Sequence, residues 1–399
     1  MHKYFKNMDL LGKPLKDKVK QRSQNNLQEV EQAEQEVQEA REKIKEFGLP
    51  AEKINSRGQL TIWQRLDILV DEGTWRPLHM LYNPAENDDC TTNIVDGLAQ
   101  INGRWAVVVG FDNKYMAGAW VPGQSENIFR VTDLAKRLNV PLVWVVNCSG
   151  VKLPEQEKFY GGRRGSGTTF FRHAELEQMG LPILAGIYGT NPAGGGYQGV
   201  SPTILFAHKN CNIAVGGAGI VSGMSPKGYF DVESAQELID VAKQHRETPP
   251  GGVDIHYEET GFFRYMFETE EGVLKAMRDY MNKLPAYDPE FFRVDEPKDP
   301  KFPTEDLYYL LPVNPKRTYD FEQILARLVD GSEHQEFRSD YGPEVYTGLV
   351  KVDGMLCGCI GNRQGIMPKG YPEYADYPGI GGKLYRQGLI KMNEFVSRS

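Results

Sequence analysis

Hydrophobic and polar positions change period several times along the chain, and each change predicts an element. Residues 23–48 place Val30, Ala33, Val37, Ala40, Ile44 and Phe47 at alternating steps of three and four on a Gln/Glu-rich background. That is the stripe of an amphipathic helix, and Gly48 and Pro50 end it. TIWQRLDILVDEGTW (61–75) predicts a second helix ending near Gly73. GLAQINGRWAVVVG (97–110) predicts a β-hairpin turning at Asn102-Gly103, a dipeptide suited to the positive φ of a type I′ turn. Beyond it, short apolar runs alternate with helical faces. PLVWVVN (141–147), PILAGIYG (182–189) and NIAVGG (212–217) read as buried strands, and PTILFAH (202–208) is another apolar run. NIFRVTDLAKRLN (127–139), FFRHAELEQMG (170–180) and VESAQELIDVAKQH (232–245) read as helices. This alternation predicts an α/β fold with a mostly parallel sheet covered by helices.

The pattern also repeats. GLAQINGRWAVVVGFDNKYM (97–116) is similar to GLVKVDGMLCGCIGNRQGIM (348–367), and Gly97, Gly103 and Gly110 map onto Gly348, Gly354 and Gly361 at a constant offset of 251. Upstream, ILVDEGTW resembles ARLVDGSE; downstream, NIFRVTDLAKR faintly resembles KLYRQGLIKMN. A second copy of the fold is therefore expected after the Pro/Asp/Lys-rich stretch 294–306. Its opening strands and first helix are present by Ser399 but its glycine loop is not, so the expectation is a second domain that is incomplete.

Composition narrows the class. The chain has 399 residues, 40% apolar and 25% charged, enough for real cores. Its net charge of −8 and the lack of a dominant basic stretch argue against nucleic acid as the main partner. Five scattered cysteines (90, 148, 211, 357 and 359) fit a reducing cytoplasm, and Cys357-x-Cys359 lacks the spacing of a zinc site. The N-terminus shows no apolar core of signal-peptide length, and AVVVGF and LVWVV are too short to span a bilayer.

Chemistry concentrates in two loops that follow apolar strands. NCSGVKLPEQEKFYGGRRGSGTTF (147–170) follows one, and NPAGGGYQG (191–199) follows the other. Ligands of parallel sheets bind at the carboxyl ends of strands. If the strands are neighbours, Ser149-Gly150-Val151 and Ala193-Gly194-Gly195 meet, and two outward N–H groups aimed at one point form an oxyanion hole. A glycine-rich turn without a ligand is the plainer reading of either loop. GRRGSGTT (162–169) matches G-x-x-x-x-G, but Thr168 stands where a phosphate-binding loop needs lysine. Its Arg163 and Arg164 suit an anionic ligand or solvent equally. His173 and His256 are candidates for a general base, yet no serine or cysteine sits at a nucleophile elbow. Cys148 reads as the end of a buried strand rather than a nucleophile. Glu155 and Glu157 follow Val151 too loosely to serve as the glutamate of a hydratase.

Taken in order, the 61–75 stretch, the G-x-x-x-I-N-G-R hairpin, NCSGV, NPAGGGYQG and GGVDIHYEETGFFRYMFETEEGVL (251–274) resemble the carboxyltransferase subunits of biotin-dependent acyl-CoA carboxylases and decarboxylases. The resemblance covers nearly the whole chain. It implies the crotonase-like (ClpP/crotonase) fold of ββα spiral domains. It divides the chain into an N-terminal helical segment (1–60), an acyl-CoA domain (61–293), a linker (294–306) and the incomplete start of a biotin domain (307–399). It implies a carboxyl transfer from an acyl-CoA, glutaconyl-CoA foremost, to biotin, giving crotonyl-CoA. Propionyl-, methylmalonyl- or methylcrotonyl-CoA, or a crotonase-type hydratase or isomerase, are the alternatives. It assigns the oxyanion donors to the N–H of Val151 and of Gly194 or Gly195. Coenzyme A falls to Met116, Ala117, Gly118 and Ala119, with Gly150, Arg163 and Arg164 beside it. No metal is implied. Biotin is expected on a partner, since no Ala-Met-Lys-Met occurs. The implied partners are a biotin carrier, a membrane-embedded sodium-pumping decarboxylase subunit and further copies of the chain, with a cytoplasmic location peripheral to the membrane.

Overall fold

The structure is a computed structural model that describes residues 8–83, 91–152, 155–199, 202–214, 251–285, 290, 292–367 and 379–398. The chain forms two compact units, residues 1–39 with 288–399 and residues 40–287. The predicted helix over 232–245, Cys90 and the end of the run 212–217 lie outside the described residues.

The strands, in chain order, are β1 (Asp9–Leu10), β2 (Arg76–Leu78), β3 (Ile94–Ile101), β4 (Arg104–Phe111), β5 (Leu142–Val146) and β6 (Ile183–Ile187). There follow β7 (Thr190–Pro192), β8 (Ile204–His208), β9 (Asn212–Ala214), β10 (Tyr265–Phe267), β11 (Glu333–Glu336), β12 (Val345–Val352) and β13 (Met355–Asn362).

In the 40–287 unit, seven strands make one sheet in the order β10-β8-β6-β5-β4-β3-β2. The pairs β4–β5, β5–β6, β6–β8 and β8–β10 are parallel, whereas β2–β3 and β3–β4 are antiparallel. Strands β5, β6 and β8 are buried along their whole length, as expected of parallel strands covered on both faces. Alternate residues serve two cores. Val107, Val109, Trp144, Val146, Ile183 and Ile187 join one; Val108, Val143, Val145, Leu184 and Phe206 join the other. The helices Gln124–Leu138 and Ser166–Gln178 cover the first face, and Ile62–Leu69 and Glu270–Met281 cover the second.

The hairpin turns where the sequence places it, with Asn102 and Gly103 both at positive φ (51° and 75°). The preceding helix is shorter than its pattern suggested. It stops at Leu69, and Val70 is extended. Asp71 is instead used in the hairpin turn, where its carboxylate accepts the N–H groups of Asn102 (3.0 Å) and Gly103 (2.7 Å). The long helix spans Gln24–Glu46.

The other unit holds the sheet β1-β11-β12-β13, and it repeats these devices. Asp353 and Gly354 turn the hairpin at positive φ (51° and 77°), and the Asp330 carboxylate accepts their N–H groups at 2.9 and 2.7 Å. A Cβ added to Gly110 would meet Ile62 Cδ1 at 2.3 Å; one added to Gly361 would meet Phe321 Cζ at 1.9 Å. Ile62 and Phe321 are each the first residue of a helix, Ile62–Leu69 and Phe321–Leu325. Each mapped glycine is thus the seat of a helix on its hairpin. KLYRQGLIKMN (383–393) enters the helix Arg386–Arg398 at its fourth residue.

Candidate functional site

Strands β4, β5 and β6 lie side by side in parallel, with Gly110 opposite Val145 and Val146 opposite Ile187. Their carboxyl ends therefore release three segments at one edge: 112–120, 147–151 and 188–195. These are the segments the sequence singles out.

The glycine run is not the open loop its composition suggests. Thr190–Pro192 forms β7, paired in parallel with β9, and Gly194–Tyr197 forms one helical turn. Ala193 joins them at φ 46°, ψ −128°, a region that residues with a Cβ rarely occupy, and its N–H donates to the Ala214 carbonyl at 2.7 Å. Gly194 and Gly195 open the helical turn, where N–H groups lack intrahelical acceptors.

Gly195 packs directly on the other turn. A Cβ there would stand 2.4 Å from the Cys148 carbonyl oxygen, 2.9 Å from Cys148 Sγ and 3.0 Å from the Gly150 nitrogen. Gly150 has φ 102° and faces Pro192. Val151 forms a parallel bridge with Trp120. That bridge uses the Gly150 carbonyl, accepting from Trp120 N–H at 2.8 Å, and the Lys152 N–H, donating to Trp120 at 3.0 Å. In a parallel bridge the N–H of the central residue points the opposite way, so that of Val151 faces away from Trp120.

The 116–119 segment joins the same group. Met116, Ala117 and Gly118 have φ 46°, 51° and 78°, and a Cβ on Gly118 would fall 1.8 Å from the Asn147 carbonyl oxygen. Ser149 binds it twice, N–H to the Ala117 carbonyl (3.1 Å) and Oγ to the Met116 carbonyl (2.7 Å). Ala119 is buried, and its carbonyl accepts from Asn93 Nδ2 at 2.7 Å.

The structure therefore brings together Met116–Ala119, Gly150, Val151, Gly194 and Gly195. Arg164 makes two hydrogen bonds to the Glu126 carboxylate (2.5 and 2.7 Å) and lies over the Phe129 ring. Arg163 is exposed, and its carbonyl accepts from Thr168 Oγ1. The helix after them begins at Ser166, so Gly167 and Thr168 belong to its first turn rather than to a loop.

Side-chain acids and bases are absent from this group of residues. Cys148 is fully buried, and burial pushes its thiol up to about 12. His173 accepts from Trp144 Nε1 at 3.0 Å, and burial pushes it down to about 4. His256 Nε2 lies 2.8 Å from the Ile213 carbonyl. Glu155 is held by Lys152 and Lys158. Among the described residues, no group of three or more His, Cys, Asp or Glu could hold a metal ion.

Two asparagines that pattern reasoning passes over tie the turns. Asn191 Oδ1 accepts from Cys148 N–H at 2.7 Å, and its Nδ2 donates to the carbonyls of Tyr188 and Gly189. Asn147 ends the other strand, and a Cβ on Gly189 would lie 2.4 Å from its amide. The sequence signal for both was weak: asparagine after a strand, before or within a glycine turn.

The carboxyl transferase domain family matches residues 53–398. Glutaconyl-CoA decarboxylase subunit alpha of Acidaminococcus fermentans is 54% identical over 400 residues, covering 100% of this chain and 67% of that protein. The biotin-dependent 3-methylcrotonyl-coenzyme A carboxylase beta1 subunit of Mycobacterium tuberculosis is 27% identical over 314 residues, 77% of this chain and 56% of that protein. The chain thus spans between about half and two thirds of these relatives. The crystal structure of the P. aeruginosa geranyl-CoA carboxylase beta subunit superposes with a TM-score of 0.71 at 21% identity, covering 98% of this chain and 67% of that one.

Proposed function

The chain belongs to the carboxyl transferase domain family, and from that premise we propose that it moves the carboxyl group of glutaconyl-CoA to protein-bound biotin, giving crotonyl-CoA. The fold is the crotonase-like ββα spiral. The observation that carries the reading is the packing of Gly195 against the Cys148–Gly150 turn. That contact between the main chains of the two turns supports N–H groups of both serving one oxygen.

Residues 61–293, which make up most of the 40–287 unit, are assigned to the acyl-CoA half. Met116, Ala117, Gly118, Ala119 and Gly150 line the coenzyme A thioester, with Arg163 at its anionic part and Arg164 joining it by leaving the Glu126 carboxylate. The N–H groups of Val151 and of Gly194 or Gly195 donate to the thioester oxygen. The carbon–carbon bond to the departing carboxyl group breaks. Its electron pair passes through the conjugated acyl chain onto that oxygen, producing a dienolate, and the carbon that carried the carboxyl group takes up a proton, balanced by the one released where the carboxyl group would be accepted. Preformed dipoles stabilise charge that exists only as the bond breaks, so they accelerate the step rather than merely tighten binding. Biotin, when bound, supplies the group that accepts the carboxyl. The 307–399 stretch, assigned to the biotin half, carries no run like NPAGGGYQG, and none of its residues is assigned to hold biotin.

Biotin arrives on a carrier subunit, and the complex docks on a membrane-embedded, sodium-pumping decarboxylase subunit at the cytoplasmic face. Among the described residues, no helix is long and apolar enough to cross a membrane. Further copies of the chain complete the assembly.

Incubation with labelled glutaconyl-CoA, with and without free biotin, tests the reading. Biotin-dependent release of labelled CO2 is expected. Hydration of crotonyl-CoA would mark a hydratase instead, and thioester binding without turnover a scaffold.

A further inference from the structure

We propose that the buried Arg65–Glu270 ion pair positions the two glycine turns of the oxyanion site, acting through Asn147 and Tyr188. The proposal rests on the function given above, but its geometry stands apart from any choice of acyl group.

Arg65, on the helix Ile62–Leu69, and Glu270, the first residue of the helix Glu270–Met281, are both buried. They form a bidentate pair, Nε to Oε2 and Nη2 to Oε1, each 2.8 Å. Glu270 Oε2 also accepts the Leu60 N–H at 3.0 Å. A guanidinium has five N–H donors, and two bonds to Glu270 leave others. Those reach the Asn147 amide: with its oxygen toward the donors, Asn147 accepts from Arg65 Nη1 (3.2 Å), Arg65 Nη2 (3.3 Å) and Asn113 Nδ2 (3.2 Å). The central carbon of the same guanidinium lies over the Tyr188 ring, 4.2 Å from its centre.

Asn147 and Tyr188 are the residues with which the two turns begin, directly after β5 and β6. One rigid plane, fixed in rotation by Glu270, therefore sets both starting points. From there each turn is tied to the other by Asn191 and by the close seat of Gly195. Stability alone is a weak reason for the pair, because a buried ion pair is often no better than apolar residues of equal volume. Lysine could keep the attraction to Glu270, but it has neither the planar fork nor the stacking face.

Two variants of the assembled enzyme separate positioning from mere support. Arg65→Met/Glu270→Leu removes both charges together and so avoids a buried unpaired ion. Arg65→Lys keeps the charge. We expect each to retain its far-UV spectrum while kcat for glutaconyl-CoA falls about 10- to 100-fold with KM changed less than about threefold, the split of an interaction made in the transition state. The second readout is the infrared band of the thioester carbonyl of bound crotonyl-CoA. In the unmutated enzyme the band is displaced from its free position, and in both variants it moves back. Folded variants with unchanged kcat and an undisturbed band would overturn the proposal, as would an unmutated enzyme that leaves the bound carbonyl unshifted. An unmutated enzyme that shifts the carbonyl but does not decarboxylate glutaconyl-CoA would overturn the functional reading while leaving the positioning role standing.

Discussion

Gly195 tolerates no side chain without movement of the main chain, because its nearest neighbour on the adjoining turn is the Cys148 carbonyl oxygen. A Cβ at 2.4 Å from the Cys148 carbonyl oxygen must push the turns apart. Gly195→Ala is expected to lower kcat for glutaconyl-CoA decarboxylation by about 10²- to 10³-fold, the usual cost of displacing one oxyanion donor. Steady-state kinetics beside a circular dichroism spectrum checks this; a folded variant at full rate removes Gly195 from the mechanism. This residue was legible in the sequence because three glycines between apolar runs carry an entropic cost that packing does not repay. Asn147 and Asn191 were not. Asparagine suits any turn, and the partner that gives Asn191 its role, Cys148, is 43 residues away.

At the scale of elements, the 116–118 segment depends on three successive positive φ angles, two of them at residues with side chains. Gly118→Ala adds the strain of a non-glycine residue at φ 78° and a contact at 1.8 Å with the Asn147 carbonyl. The expected loss is about 3 kcal/mol or more of folding stability, read from urea denaturation. An unchanged midpoint would show that the segment is not held against β5's end. The element that pattern reasoning drew too long, 61–75, errs for a related reason. Its apolar spacing continues past Leu69, but Asp71 finds two hairpin N–H groups to accept, and these tertiary bonds outweigh local helix propensity. The same aspartate recurs as Asp330 in the second unit. The repeat seen in glycine spacing is therefore also a repeat of hydrogen bonds.

At the scale of the whole molecule, His173 makes one definable contribution to the pH dependence of stability, opposed over part of the same range by the buried Asp112, which burial pushes up to about 6. Its ring is buried, bound to Trp144, and lowered to about 4 from the ordinary value near 6.5. Above pH ~6.5 both folded and unfolded chains hold it neutral, and its contribution is fully present. As pH falls from there toward 4, the unfolded chain takes up the proton first, and the contribution of His173 declines by about 1.4 kcal/mol per pH unit, roughly 3 kcal/mol in all. His173→Gln can still accept from Trp144 but does not titrate. The urea midpoint of that variant should gain on the midpoint of the unmutated chain as pH falls from 7 to 4, and parallel curves would refute the assignment. The same burial removes His173 from consideration as a general base at neutral pH.

The sequence by itself determined what depends on neighbours along the chain. It placed the hairpin at Asn102-Gly103, the runs that become β5, β6 and β8, and the offset of 251 between the two hairpins. It also pointed to both glycine turns as the place for chemistry. Only the tertiary structure decided that β5 and β6 are adjacent, that Gly195 seats on the Cys148–Gly150 turn, and that Arg164 is held by Glu126. Periodicity and turn preference are properties of a few consecutive residues. Convergence depends on which strands pair, and the buried polar partners that fix it come from helices far away in the chain.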